Sequence, residues 1–232
     1  MTDMLDEDNL IRAHLFRDRK EAGQLLAGCL TPYRDKDALV LGIPRGGMPV
    51  ATEVALALNA EMDIIVARKL GSPVSAELAI GAVTANGGRY LNEEVIRELD
   101  VSGEYLAHVT EEQMAEARRR EERFRGSRPA PTLKDRIVIL VDDGLATGAT
   151  MRAAVRSVRK AMPARLVVAV PVAPPHTCRE LRNEADEVVC PYQPEPFWAV
   201  GLFYRDFAPT EDSEVESLLR QAYDRRPAKR AA

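Results

Sequence analysis

Ile137-Val138-Ile139-Leu140-Val141-Asp142-Asp143-Gly144-Leu145-Ala146-Thr147-Gly148-Ala149-Thr150 is the stretch whose reading decides the fold. Five consecutive apolar, mostly β-branched residues read as a strand covered on both faces, as in a parallel sheet. The strand ends in two carboxylates. Gly144 and Gly148 then loosen the backbone, and Thr147 and Thr150 supply hydroxyls and caps. From Met151 to Met162 the apolar spacing is helical. Two acids at a strand end, beside a helix N-terminus able to hold an anion, suit a ligand that carries both a diol and a phosphate.

Working outward, the same grammar recurs upstream. Ala38 to Ile43 reads as a strand, Pro44-Arg45-Gly46-Gly47 as a turn, Met48 to Leu58 as a helix, and Met62 to Val66 as a strand that ends at Arg68-Lys69. Strand, glycine turn, helix and strand within about thirty residues make a βαβ unit. Downstream, Arg165 to Val172 is a strand, Pro174 to Asn183 a helix and Glu187 to Cys190 a short edge strand. Alternating strands and helices predict an α/β, doubly wound, mainly parallel sheet. In such sheets ligands sit outside the carboxyl ends of the strands, where the three loops just described lie.

The remaining segments are peripheral. Asn9 to Leu30 reads as a helix, through Leu10, Ile11, Leu15, Phe16, Ala22, Leu25 and Leu26. Gly71-Ser72-Pro73 reads as a loop, Ala79 to Thr84 as a strand, and Asn86-Gly87-Gly88 as a hairpin turn into Arg89-Tyr90-Leu91. Asn92 to Leu99 is a short helix. Glu104 to Arg125 is a long charged helix, with Glu116–Arg120 and Glu121–Arg125 pairs and a solvated face. Pro191 to Pro196 is an extended loop, Phe197 to Tyr204 is dense in aromatics, and Thr210 to Tyr223 is a terminal helix.

The totals exclude several classes. The 232 residues carry 32 basic and 36 acidic side chains, a net charge of -4, interspersed rather than patched, so no nucleic-acid surface is expected. No apolar run approaches the ~20 residues of a membrane span. Cys29, Cys178 and Cys190 have no CxxC spacing and read as free thiols of a reducing compartment. Met1 to Asn9 is acidic and polar and does not read as a secretory leader, so a cytoplasmic protein is expected. His14, His108 and His176 lack metal-ligand spacing. Ser157-Val158-Arg159-Lys160 fits SxxK but lies mid-helix without its partner motifs. No lysine follows Gly148, so this is not a nucleotide P-loop.

Val138 to Thr150 resembles the PRPP-binding signature of type I phosphoribosyltransferases: four apolar residues, two acids, two variable residues, a small or acidic residue, then Thr-Gly-x-Thr. That resemblance implies that Asp142 and Asp143 hold the ribose hydroxyls and bind Mg²⁺, directly or through water. It implies that Ala146, Thr147, Gly148, Ala149 and Thr150 hold the 5′-phosphate. Arg45, Gly46 and Gly47 stand where the family has its pyrophosphate loop, commonly with a non-proline cis peptide, here Pro44–Arg45. Arg68 and Lys69 stand where a basic residue meets pyrophosphate. Further stretches, Phe16-Arg17-Asp18-Arg19, Glu77 to Val83 and Ala199-Val200-Gly201, resemble a bacterial group of these enzymes whose acceptor base is unsettled.

The resemblance implies a single phosphoribosyltransferase domain over residues 1–224. It would have a helical cap at 92–126, a base-side hood segment at 191–209, and a frayed basic tail at 225–232. The implied activity is Mg²⁺-dependent transfer of the 5-phosphoribosyl group of PRPP to a nitrogenous base, slightly favouring a purine, with release of pyrophosphate. The partners are these small molecules and a second copy in a homodimer, with neither nucleic acid nor membrane. One departure bears on the acceptor. Hypoxanthine-type enzymes carry an Asp where this chain has Ala146, so the acid on the base side must come from elsewhere or the base is not a purine. Glu77 is the candidate, and Phe197 and Trp198 are the candidate stacking residues. The competing reading is a non-catalytic PRPP or nucleotide sensor; Arg45 and Lys69, a pyrophosphate site a sensor need not keep, favour the enzyme.

Overall fold

The computed structural model describes residues 15–225. Its centre is a five-stranded, all-parallel sheet in the order β2-β1-β6-β7-β8. The strands are β1 (Ala38–Gly42), β2 (Glu61–Ile64), β6 (Ile137–Val141), β7 (Arg165–Ala169) and β8 (Glu187–Val189). Strict alternation sends Leu39, Leu41, Val138, Leu140, Leu166 and Val168 to one face. There they meet Met151, Ala154, Val155 and Val158 of α5 (Ala149–Lys160), and Cys178 and Leu181 of α6 (Pro175–Leu181). Val40, Ile139, Val141, Val167 and Ala169 face the other way. That side is closed by α1 (Arg19–Cys29), α2 (Gly47–Leu58) and α7 (Asp212–Asp224). Burial on both faces is why the strands read as unbroken apolar runs.

A second, three-stranded antiparallel sheet, β3-β4-β5, stands apart from the first. Its strands are β3 (Ala67–Gly71), β4 (Ala79–Thr84) and β5 (Arg89–Leu91). One face packs on α3 (Glu93–Glu98) and α4 (Gly103–Arg125) through Leu70, Ile80, Val83, Val109 and Leu106. The opposite face rests on α5, where Ala82 meets Ala149 and Ala153. Gly88 is in the turn because a Cβ there would lie 2.4 Å from the Ala153 carbonyl oxygen.

Three local readings are corrected. Residues 9–14 of the expected first helix lie outside the described residues, and within the described residues the helix begins at Arg19, with Leu15 to Asp18 not helical. Phe16 pairs with Tyr204, its N–H donating to the Phe203 carbonyl at 3.0 Å, and Asp18 caps α1 by accepting from the Glu21 N–H at 2.8 Å. The chain after β2 is not a strand end running into a loop: residues 67–71 form β3. The Glu121–Arg125 pair is not on a solvated face. Glu121 is buried, accepts from the Val66 N–H at 3.1 Å, and shares Arg125 with the buried Asp63. Of the tail expected at 225–232, only Arg225 lies within the described residues.

Candidate functional site

From β1 the chain proceeds outward to β2, and from β6 in the opposite direction to β7 and β8. β1 and β6 are neighbours, with Gly42 opposite Val141, so the strand order reverses between them. A crevice therefore opens beyond their carboxyl ends, the usual ligand position of this architecture. The two loops that enter it are Ile43 to Gly46 and Asp142 to Gly148.

Their contact is close. A Cβ on Gly46 would lie 2.1 Å from Asp143 Oδ2, and one on Gly47 would lie 2.9 Å from the Asp142 Cα. Gly46 has φ −60° and ψ −32°, which any residue adopts, so glycine is there for space. The Pro44–Arg45 peptide is cis. Burial pushes the carboxyls of both Asp142 and Asp143 above the usual carboxylate range, and the neighbouring Asp143 charge adds to the shift of Asp142. Arg19 opposes the shift of Asp143, donating from Nε to Oδ2 at 2.7 Å.

Beyond the acids, Leu145 is tied to the segment that follows β7 by its N–H bond to the Val172 carbonyl at 3.0 Å. Gly148 is the N-cap of α5 with φ +71°, a torsion that favours glycine, and no side chain caps the helix. The first-turn amides of α5 are thus free of a side-chain acceptor, and the helix end adds about half a positive charge. Ala146 and Thr147 are exposed, Gly148 and Ala149 buried. The loop is latched from behind by Thr177, whose hydroxyl donates to the Ala146 carbonyl at 2.7 Å.

The basic residues are distributed unevenly. Arg45 is half-exposed and pairs with Asp212 at the start of α7, 3.6 Å away. Arg68 and Lys69 lie in β3 on opposite faces. Arg68 donates to Gln113 on α4 at 3.1 Å. Lys69 is exposed and stands opposite Ala82, the residue that packs on the start of α5. Cross-strand partners share a face, so Lys69 is the member of the pair on the side of α5. Glu77 is exposed in the loop between β3 and β4.

The aromatic segment closes the other side. Val200 is what a Cβ on Gly144 would strike, at 2.6 Å, so residues 199–201 lie directly over the loop that follows the acids. Phe197 packs on Phe203 with ring centroids 5.0 Å apart, whereas Trp198 is 81% exposed. Tyr204 is buried in an aromatic cluster with Phe16, and its hydroxyl donates to the Asp143 carbonyl. Burial, then the Asp143 charge, raises the Tyr204 phenol above its usual range.

Arg19, Tyr204, Thr177 and Val200 contact these loops and carry no role in the sequence reading. Arg19 had the nearest available signal, as a member of the Phe16-Arg17-Asp18-Arg19 stretch; in the structure Asp18 is the N-cap and Arg19 the first residue of α1.

Two carboxylates, an uncapped helix start, a glycine turn and flanking cations thus meet around one crevice. The chain belongs to the phosphoribosyl transferase domain family, whose model matches residues 17–207. Two Mycobacterium tuberculosis proteins, each named "Putative phosphoribosyl transferase", are 44% identical to it over 209 residues, which is 90% of this chain and 47% of theirs. The chain thus spans about half the length of the curated relatives it matches. The crystal structure of TT1426 from Thermus thermophilus superposes with a TM-score of 0.75 at 44% identity, covering 89% of this chain and 98% of that one. The fold is that of the type I phosphoribosyltransferases. Among the described residues, no helix is long and apolar enough to cross a membrane.

Proposed function

We propose that the protein transfers the 5-phosphoribosyl group of PRPP to a nitrogenous base and releases pyrophosphate. The observation that carries this reading is the packing of Asp142 and Asp143 between the Gly46-Gly47 turn and the uncapped start of α5. A ribose ring anchored on the acids has the amides of Ala146 to Thr150, the loop and first residues of α5, on its 5′-phosphate side. The Arg45-Gly46-Gly47 turn and Lys69 serve its pyrophosphate. Arg68, held by Gln113, tunes that charge from the far face of β3.

In the transfer, the bond from the ribose C1′ to the pyrophosphate oxygen breaks and a bond to the base nitrogen forms. Positive charge develops on the ring, and Asp142 and Asp143 stabilise it, while the cations receive the negative charge of the leaving group. Proximity supplies much of the remainder, because both reactants are held in one crevice. Among the described residues, no three of His, Cys, Asp and Glu are grouped to hold a metal ion. Two carboxylates, one engaged by Arg19, suit a Mg²⁺ carried in on the polyphosphate rather than one resident in the protein. The base enters under Phe197 to Val200, with Trp198 free to stack on it, a contact worth ~1–3 kcal/mol. Glu77, in a loop that meets solvent, is the proposed acid–base group on that side. A purine acceptor and a cytoplasmic homodimer complete the proposal.

Asp143→Asn tests it. Pyrophosphate release from Mg²⁺–PRPP is measured over a panel of purine and pyrimidine bases. The unmodified protein should release pyrophosphate with at least one base, and the variant should be slower by about two to three orders of magnitude. Undiminished release would remove the assigned role. PRPP binding without release for every base would favour a non-catalytic PRPP sensor.

A further inference from the structure

Arg19 makes three contacts that together fix its guanidinium. Nε donates to Asp143 Oδ2 at 2.7 Å, Nη1 donates to the Ala208 carbonyl at 2.7 Å, and the plane lies over the Phe207 ring with the central carbon 3.9 Å from the centroid. Phe207 is held in turn. It packs on Tyr204 with ring centroids 5.0 Å apart, and Gly201 makes room for it, since a Cβ there would lie 2.8 Å from the ring. Arg19 and Asp143 have side chains only 11% and 13% exposed. Arg19 also borders the glycine turn, because a Cβ on Gly46 would lie 3.3 Å from its Nε.

No other side chain donates to the Asp143 carboxylate among the described hydrogen bonds, so its orientation is set by Arg19 from one side and the wall of Gly46 from the other. A planar fork, stacked on one face and bonded at two edges, fixes direction in a way a lysine ammonium does not. We infer that Arg19 is a positioning residue: it aims Asp143 at the ribose diol and ties that aim to the aromatic segment that covers the base side. The inference rests on the phosphoribosyl reading above. It adds a residue from α1, far in sequence from both loops, and a mechanical link between the hood segment and the ribose-binding acid. Oδ1 of Asp143 and the second lone pair of Oδ2 remain available to hydroxyl donors while Arg19 stays in place.

The test compares two probes by calorimetry. Ribose 5-phosphate carries both the diol and the phosphate; inorganic phosphate addresses the amides of Ala146 to Thr150, with which Arg19 has no hydrogen bond among the described residues. Arg19→Gln should weaken ribose 5-phosphate by about tenfold or more, because a misaimed group forfeits contacts steeply with displacement, and should leave phosphate affinity within about twofold. Arg19→Lys should remain weak for ribose 5-phosphate, since the charge survives but the fork and the stack do not. Ribose 5-phosphate affinity unchanged in Arg19→Gln, or fully restored in Arg19→Lys, overturns the positioning role. A parallel loss of both probes makes Arg19 a residue of the fold and overturns it equally. If the unmodified protein binds neither ribose 5-phosphate nor Mg²⁺–PRPP, the phosphoribosyl reading fails first and the inference falls with it.

Discussion

Gly46→Ala adds one methyl at the point where the two loops of the site touch, and the outcome can be worked from the geometry. At φ −60° the alanine is unstrained, so no torsional cost confuses the result. Its Cβ would begin 2.1 Å from Asp143 Oδ2 and 2.8 Å from Cγ. Ordinary contact needs about 3.2–3.4 Å, so the carboxylate must retreat by about 1 Å. It cannot do so and keep its 2.7 Å bond to Arg19, which is fixed by Phe207 and Ala208. Overpacking of this kind costs about 1–3 kcal/mol of stability, a loss a domain of this size survives. A misplacement of about 1 Å in a positioning group costs about a hundredfold in rate. The expected variant is therefore folded, with a modestly lowered thermal midpoint, and about a hundredfold poorer in pyrophosphate release and in ribose 5-phosphate affinity. Calorimetry and a release assay on one preparation measure both. Wild-type binding and turnover in a folded Gly46→Ala protein would refute the argument that Asp143 must stay where it is.

Two further outcomes follow from buried polar groups. Arg125→Met removes the cation shared by Asp63 and Glu121. Burial holds both carboxyls above their ordinary range, and Arg125 is the nearby charge that lowers them. Carboxyls raised in the folded state contribute stability below their unfolded values, near pH ~4, and lose it as pH rises through their folded values. Without Arg125 that loss deepens, because it runs on to a higher folded pKa. Urea unfolding should show a deficit of about 3–5 kcal/mol at neutral pH that shrinks on acidification; an equal deficit at both would disprove it. Tyr204→Phe leaves the Asp143 carbonyl without its hydroxyl donor and should cost about 1–3 kcal/mol by the same assay. A null effect would mean that water replaces the phenol.

The two-faced central strands were legible because burial on both sides leaves no room for polar residues, and Ile137 to Val141 states that in five letters. The βαβ unit around Gly46-Gly47 was legible for the same reason. β3 was not: Ala67-Arg68-Lys69-Leu70-Gly71 has two charges in five residues, because Arg68 is satisfied by Gln113 on α4 while Lys69 meets solvent. Leu15 and Phe16 misled by sitting at helical spacing ahead of α1. Phe16 is buried by the aromatic cluster instead, and burial alone does not tell a helix from an extended segment. Glu121–Arg125 has the spacing of a surface pair, and only the approach of Asp63 and Val66 buries it. In the site, the acids and glycines are local and speak for themselves. Arg19 reaches Asp143 across 124 positions, and no local pattern carries such a contact.

The two arginines that flank the acids differ in what it takes to move them. Arg45 is 43% exposed, its contact with Asp212 is 3.6 Å long, and Asp212 already has a second partner in Arg123. An exposed pair of that kind is worth about 0–1 kcal/mol, so an arriving polyanion can draw Arg45 away at almost no cost. Arg19 and Asp143 are nearly buried. Separating them would leave a desolvated charge on each side and cost about 3–5 kcal/mol, more than one ribose hydroxyl returns in a hydrogen bond to a charged group, about 1.5–3 kcal/mol. The same inequality decides which cation belongs to the substrate and which to the frame. Under the proposed function, Arg45 is the arginine expected to move to a pyrophosphate. Under the same proposal, Arg19 is expected to stay on Asp143 through binding, with a ribose hydroxyl accepted beside it rather than in its place.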